Sequence, residues 1–148
     1  MSTREILRFI GQIPQLAGAS FEAREAAAAC MRLRETRAGE TIITRGAPGD
    51  ALFFVLEGEF EAHLNTGQVS RIGPMEFFGE IGLLLGIERT STVVCRSPGR
   101  LMVMPGEDVP RLARRFPGLV AELERVARER APGLMKHFEW PASPPRIQ

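Results

Sequence analysis

The stretch Phe77-Phe78-Gly79-Glu80-Ile81-Gly82-Leu83-Leu84-Leu85-Gly86-Ile87-Glu88-Arg89-Thr90-Ser91-Thr92 contains the end of a strand, a short helix and a charged loop. The two aromatic residues end the strand, and the apolar run over residues 80–85 predicts a helix that begins at Gly79 and stops at Gly86. Because the first turn of a helix has free N–H groups and a partial positive charge, residues 79–82 can hold a phosphate-like group. The stretch therefore predicts a pocket for a small anion.

Two charged side chains in this stretch match the two polar parts of a sugar phosphate. An ionised Glu80 only accepts hydrogen bonds, so it suits a hydroxyl donor, whereas the planar fork of Arg89 suits phosphate oxygens. Each also has an ordinary interpretation, because a glutamate in a first helical turn compensates the helix dipole and an arginine after a glycine-rich turn is usually solvated. Their combination at this spacing favours the binding site.

The order Phe-Gly-Glu-apolar-small-Leu over residues 78–83 is followed, after five residues, by Arg89 and a small hydroxyl residue. This pattern resembles the phosphate-binding cassette of the cyclic nucleotide-binding domain family. The resemblance implies that Glu80 binds the ribose 2′-hydroxyl and that Arg89 binds the cyclic phosphate. It also implies a cradle of backbone amides and flanking ligand contacts, which we expect from Phe78, Gly79, Ile81, Gly82, Thr90 and Ala62.

Three positions depart from the common form of this cassette. Gly82 stands where alanine is common, and Glu88 and Ser91 stand where many members have proline and alanine. The glycine and the glutamate resemble the catabolite-activator version found in bacteria. The departures are therefore mild.

A second series, Gly46-Ala47-Pro48-Gly49-Asp50 followed by the apolar strand and turn at residues 52–58, also resembles this family. Within the turn, Pro48 fixes φ and Gly49 stands where φ can be positive. The resemblance implies a mainly β fold with flanking helices, in which an eight-stranded jelly-roll β-barrel leaves few exposed edges.

Helices are expected on both sides of the barrel. Residues 3–10 and 20–31 predict two helices, with Ser2 or Thr3 capping the first and Ser20 capping the second. They resemble the helical lead-in of the family. Residues 107–116 and 118–130 predict two more, separated at Pro117 because the residue before a proline resists the helical region.

In the family, the last of these helices is a mobile lid over the bound base. By its distance from Pro117, Arg130 is the residue that we expect to stack on the base or bond its edge, with Arg128 as the second choice. A solvated basic face with Glu–Arg pairs is an equally good interpretation of this helix.

Length and pattern predict one domain at residues 1–131, made of a lead-in at 1–31, a barrel at 32–105 and lid helices at 106–131. A flexible, proline-containing tail is expected at 132–148. The 148 residues are 44% hydrophobic, which suits a single domain with a real core.

Charge and hydropathy argue against several partners. A formal net charge of +1 does not suit a protein that coats nucleic acid or an anionic membrane. No apolar run approaches the roughly 18 residues of a membrane span, and the amino terminus lacks the layout of an export signal. We therefore expect a cytoplasmic protein without membrane insertion.

Metal, haem and redox chemistry are not expected. A metal-dependent enzyme on a similar barrel needs a cluster of histidine and carboxylate ligands, but His63 and His137 lie on unrelated elements. Cys30 and Cys95 stand in apolar runs and are interpreted as small buried side chains. The expectation is a non-enzymatic protein with no metal and no cofactor.

The resemblance thus implies a sensor for a cyclic nucleotide, with cyclic AMP favoured over cyclic GMP because the hydroxyl of Thr90 resembles that of bacterial cyclic AMP binders. In kinase-type relatives, by contrast, a threonine there goes with cyclic GMP. The sensor would close its lid over the ligand and act on an unknown protein in trans, unless it is an excised module. The alternative is a non-enzymatic interaction module with an empty or degenerate pocket.

Overall fold

The protein is described by a computed structural model that covers residues 2–80, Leu84 and 88–136, except for the side chains of Gln15 and Leu134. The helices are α1 (Thr3–Gln12), α2 (Pro14–Ala17), α3 (Phe21–Cys30), α4 (Asp108–Arg115), α5 (Pro117–Arg130) and α6 (Pro132–Met135). The strands are β1 (Arg32–Thr36), β2 (Thr41–Ile43), β3 (Ala51–Glu57), β4 (Phe60–Leu64), β5 (Val69–Ile72), β6 (Phe77–Phe78), β7 (Ser91–Cys95) and β8 (Gly99–Pro105).

The eight strands form two antiparallel sheets of four strands each. We call the sheet with the order β1-β8-β3-β6 the helix-side sheet, and the sheet with the order β2-β7-β4-β5 the cavity-side sheet. The number of strands agrees with the prediction, but within the described residues the strands do not close into a barrel. Closure is not needed to bury the apolar faces, because the two sheets pack against each other.

One hydrophobic cluster fills the space between the sheets. It takes side chains from both, and its members are Ile43, Phe53, Val55, Phe60, Ile72, Phe78, Val93, Cys95 and Leu101. Along β7, the buried Val93 and Cys95 alternate with half-buried residues, as expected when one face of a sheet is covered, and on β4 Phe60 is buried. This burial pattern identifies the face of the cavity-side sheet that points toward the other sheet.

A second cluster lies between the helices and the outer face of the helix-side sheet. Strand β3 contributes to both clusters, because Leu52 and Phe54 face the helices while Phe53 and Val55 face the other sheet. A strand covered on both faces reads as a continuous apolar run, which is the pattern of residues 51–56. Helices α1 and α3 lie on one side of this cluster, and α4 and α5 complete it.

The helix boundaries follow the local signals. The hydroxyls of Ser2 and Ser20 accept hydrogen bonds from the backbone N–H groups of Glu5 and Ala23, at 3.2 and 3.1 Å. Ser20 is the predicted cap, and Ser2 is one of the two residues predicted to cap the first helix. The break between α4 and α5 falls at Phe116, whose φ of −132° and ψ of 74° are not helical, as Pro117 requires.

Two local expectations differ from the structure. Gly46, with φ of 90°, adopts the left-handed conformation in the turn at residues 45–50, and Gly49 does not. The chain after α5 was expected to lack regular structure, yet Pro132–Met135 is a helix and the Met135 side chain is buried. Residues 137–148, including Trp140, lie outside the described part of the chain.

Across the described residues, we find no helix that combines the length and the apolar character needed to cross a membrane.

Two glycines with positive φ allow a stability test of the tight approach between the hairpin turns. A Cβ on Gly58 (φ 99°) would lie 2.7 Å from Cα of Gly99, whereas a Cβ on Gly67 (φ 87°) would meet nothing within 4 Å. Gly67→Ala should lower the free energy of unfolding by about 1–2 kcal/mol, the cost of a left-handed L-residue. Gly58→Ala should lower the free energy of unfolding by about 1–3 kcal/mol more than Gly67→Ala, because the added Cβ would overlap with neighbouring backbone atoms. Equal decreases in the free energy of unfolding of the two variants, measured by urea denaturation, would contradict this account.

Candidate functional site

A cavity of about 1260 Å³ lies against the inner face of the cavity-side sheet. Typical ligand pockets measure roughly 300–1,000 Å³, so a nucleotide can be accommodated. Seven of the nine residues predicted to bind ligand border the cavity: Phe78, Gly79, Glu80, Arg89, Thr90, Ala62 and Arg130. The other two, Ile81 and Gly82, lie outside the described residues.

The Arg89 guanidinium is buried at the phosphate end of the predicted site, with only 5% of the residue exposed. Its Nη1 donates to the carbonyl oxygen of Gly79 at 2.7 Å, and its Nη2 donates to that of Ala51 at 2.9 Å. A guanidinium has five N–H groups. These two bonds fix the plane of the fork without using all of its donors, so it remains able to bind an anion.

The loop that carries Arg89 is also fixed by its backbone. The N–H of Arg89 donates to the carbonyl of Ala47 at 2.7 Å, and the N–H of Gly46 donates to the carbonyl of Arg89 at 2.9 Å. The turn at residues 45–50 and the end of the cassette therefore hold each other in place. The two sequence motifs that were noticed separately form one structural unit.

Carboxylates offset the cost of burying this cation. Burial lowers the pKa of the Arg89 guanidinium, while the charges of Asp50 and Glu80 act in the opposite direction. Asp50 Oδ1 lies 3.6 Å from Arg89 Nη2, but the Asp50 side chain is 85% exposed and its charge is screened by water. An arginine stays protonated at neutral pH, so the cavity contains a buried positive charge that is only partly compensated.

Gly79 is required by the packing around this guanidinium. Its φ is 92°, and a Cβ would lie 3.0 Å from the Ala51 carbonyl oxygen and 3.1 Å from Arg89 Nη1. The sequence suggested that this glycine lets a phosphate approach the backbone. The structure shows a further reason, because a side chain here would push away the arginine and strand β3.

Glu80 is buried in the same cavity, with 3% of the residue exposed, and its charge acts on Arg89. Its Oε1 accepts a hydrogen bond from Arg130 Nη1 at 2.8 Å, which forms an ion pair with the last turn of α5. The same Nη1 donates to the carbonyl of Phe77 at 2.9 Å, and the Arg130 guanidinium lies 5.0 Å from the Phe77 ring centroid. Arg130 therefore contacts the cassette directly.

Arg128, the second choice for a base contact, is not among the described residues that border the cavity. Its Nη1 donates to the carbonyl of Met135 at 2.7 Å, and its Nη2 donates to Glu124 at 3.1 Å. It thus holds α6 against α5. As a result, Ala131 and Gly133 form part of the cavity wall.

The remaining predicted residues have different environments. Phe78 stacks on Phe53, with ring centroids 5.0 Å apart and planes at 11°, so it supports the cavity floor. Ala62 lies on the inner face of β4, and Thr90 is exposed at the mouth. No group of three or more possible metal ligands occurs in the part of the chain that the structure describes.

Sequence reasoning did not identify several polar residues that border the cavity, among them Gln68 and Ser70 near and on strand β5 and Ser91 at the start of β7. It also did not identify Asp50 and Ala51 as partners of Arg89. For Ser70, the two-residue alternation with the buried Ile72 was a usable signal, because it places the hydroxyl on the inner face.

Comparison with known proteins points to one family. The family model described as the cyclic nucleotide-binding domain matches residues 33–116. A cyclic nucleotide-gated potassium channel of Mesorhizobium japonicum is 33% identical over 100 residues, which cover 68% of this chain and 28% of the channel.

Solved structures share the fold. The Thermus thermophilus catabolite activator protein is 28% identical with a TM-score of 0.71, over 80% of this chain and 58% of that protein. The regulatory subunit of a cAMP-independent protein kinase A from Trypanosoma brucei has a TM-score of 0.77 at 19% identity, over 85% of this chain and 47% of that subunit. The chain thus spans less than two thirds of each of these relatives' length. It belongs to the cyclic nucleotide-binding domain family.

Proposed function

We propose that this chain is the sensor part of a regulatory system, that it binds a cyclic nucleotide, and that it prefers cyclic AMP to cyclic GMP. The observation that carries the proposal is the buried, partly compensated Arg89 beside Glu80 in one cavity. Cyclic nucleotide-binding domains are typically regulatory and non-enzymatic, so we propose neither catalysis nor a cofactor for this chain. Membrane insertion and nucleic-acid binding form no part of the proposal.

In the proposed complex, the cyclic phosphate lies at Arg89 and the ribose 2′-hydroxyl donates to Glu80. Micromolar affinity corresponds to about 8 kcal/mol. Charge-assisted hydrogen bonds contribute roughly 1.5–3 kcal/mol each, so these two contacts supply a large part of it. Apolar burial of the base against Ala62 and Val93 on the inner face supplies more.

The preference for cyclic AMP rests on the likeness of position 90 to bacterial members of the family. The Thr90 hydroxyl forms no hydrogen bond within the described residues, so it is free to bond the ligand. Because a hydroxyl both donates and accepts, Thr90 supports binding of either nucleotide. The preference is accordingly a modest one.

Helix α5 is the element that we propose to report the bound state. Glu80 has two carboxylate oxygens, and Arg130 occupies Oε1 in the structure. A ribose hydroxyl at Oε2 would leave the ion pair in place and add ligand contacts beneath the helix. Because these contacts form only in the closed position of α5, the ligand favours that position, and a partner protein in trans recognises it.

The alternative is an interaction module that does not bind cyclic nucleotides. Two observations support this alternative function. The kinase regulatory subunit of Trypanosoma brucei, named as cAMP-independent, shares the fold. In addition, Arg130 already satisfies one oxygen of Glu80 without a ligand.

We also propose a single domain that begins as the sequence indicates and continues past residue 131 to Met135 at the end of α6. The strand orders β1-β8-β3-β6 and β2-β7-β4-β5 support a jelly-roll description of its two sheets. The contact of Arg128 with Met135 supports extending the lid unit through α6.

Titration of the purified chain with cyclic AMP and cyclic GMP tests the proposed ligand. We expect micromolar binding by calorimetry, and a loss of at least about 100-fold in Arg89→Ala, because the phosphate would lose its buried charge partner. Arg96→Ala is the matched control, since Arg96 is a half-exposed arginine paired with Glu61 away from the cavity.

Thermal unfolding must show that Arg89→Ala is still folded, because that variant also frees the carbonyls of Gly79 and Ala51. Unchanged affinity in a folded Arg89→Ala variant would refute the assigned role. No binding of either nucleotide by the wild-type chain would favour the interaction module.

Amide hydrogen exchange tests the role of α5. Cyclic AMP should slow exchange at the end of α5 in the wild-type chain, and Arg130→Gln should weaken this protection because the helix loses its ion pair with Glu80. Arg125→Gln in the same helix is the control, since Arg125 pairs only with exposed glutamates, Glu122 and Glu129, within the described residues. If both variants respond to cyclic AMP as the wild type does, α5 is not coupled through Arg130.

A further inference from the structure

The floor of the cavity is a row of residues that crosses the cavity-side sheet. The register of the strands pairs Ile43 with Val93, Val93 with Ala62, and Ala62 with Ser70. Three of these residues are apolar, and the fourth carries a hydroxyl on the edge strand β5. The row therefore changes from apolar to polar at one end.

The Ser70 hydroxyl is available to a ligand. Ser70 lies two residues from the buried Ile72, so both side chains are on the inner face, whereas Val69 is on the outer face opposite His63. Ser70 borders the cavity and is exposed within it. Its side chain forms no hydrogen bond with any described residue, so a ligand would not have to displace a partner.

The position of Ser70 relative to Arg89 is set by the sheet. Arg89 stands two residues before β7, and β4 lies between β7 and β5. Neighbouring strands are about 4.8 Å apart and residues along a strand rise about 3.3 Å, so Ser70, which is level with Val93, lies about 10 Å across the sheet and about 13 Å along it from the backbone of Arg89. A purine nucleotide with its phosphate at Arg89 and its base along the row therefore brings its six-membered ring toward β5.

Arg130, on the proposed lid helix α5, already makes other contacts. Arg130 bonds Glu80 and the carbonyl of Phe77, so the contact that the sequence assigned to it at the base edge needs another donor or acceptor. Apolar Val93 and Ala62 can cover the face of a base but cannot bond its edge. The free hydroxyl at the end of their row can.

We propose that Ser70 binds the exocyclic group at C6 of the purine. The inference rests on the proposed function and deepens it, because it names the residue that contacts the base edge. The serine hydroxyl would accept from the amino group of adenine, and it would donate to the carbonyl of guanine. Ser70 thus selects purines that carry a polar group at C6, and it adds affinity for both natural nucleotides.

A cycle of two ligands and two proteins tests the contact. The ligands are cyclic AMP and purine riboside 3′,5′-cyclic monophosphate, which lacks the amino group, and the proteins are the wild type and Ser70→Ala. The wild type should prefer cyclic AMP by about 2- to 10-fold, the range expected for one neutral hydrogen bond. Ser70→Ala should reduce that preference to about one, because neither ligand then finds a partner on β5.

Val69→Ala is the matched control, since Val69 is the neighbouring residue on the same strand and faces away from the cavity. It should keep the wild-type preference. Arg71→Ala is the competing variant, because Arg71 also borders the cavity. A preference that persists in Ser70→Ala, or is lost in Arg71→Ala alone, would overturn the inference while leaving the proposed function intact. A wild-type chain that binds neither ligand overturns both.

Discussion

The buried guanidinium of Arg89 is the interaction on which the site depends. It bonds the carbonyls of Gly79 and Ala51, so it joins the residue that follows strand β6 to the start of strand β3. Burying an unpaired cation is costly, and here two carbonyl oxygens and the charges of Asp50 and Glu80 reduce that cost. The cation is therefore positioned before any ligand arrives. Pre-positioning matters because the ligand then does not have to order the arginine on binding.

The charges around the cavity suit a ligand with a single negative charge. Among the described residues, four arginines border the cavity, namely Arg45, Arg71, Arg89 and Arg130, together with three glutamates, Glu76, Glu80 and Glu88. Asp50 adds a further carboxylate beside Arg89, but it is exposed and screened. The charges that border the cavity therefore leave one positive charge uncompensated. A cyclic phosphate diester carries one negative charge, whereas a terminal phosphate carries more and would overcompensate the site.

How much the sequence could predict depends on the range of the interaction. The cap at Ser20 and the break at Pro117 depend on neighbouring residues and were predicted correctly, and the cap at Ser2 is one of the two alternatives that the sequence offered. The Arg130–Glu80 ion pair joins residues 50 positions apart, and it could not be derived from any spacing. The arrangement of two separate sheets likewise depends on packing over the whole chain. Local chemistry located the cassette, and only the fold showed which other side chains meet it.

In the proposed complex, the three parts of the ligand contact three separate elements. The phosphate meets Arg89, which is bonded to the rigid β3 region, and the base edge meets Ser70 on the edge strand β5. Only the ribose meets Glu80, which also binds the lid helix through Arg130. Changes on β5 can therefore alter the choice of base without disturbing the phosphate site. Because Glu80 would bond the ligand and already pairs with α5, the ribose is one part of the nucleotide through which binding is coupled to the helix.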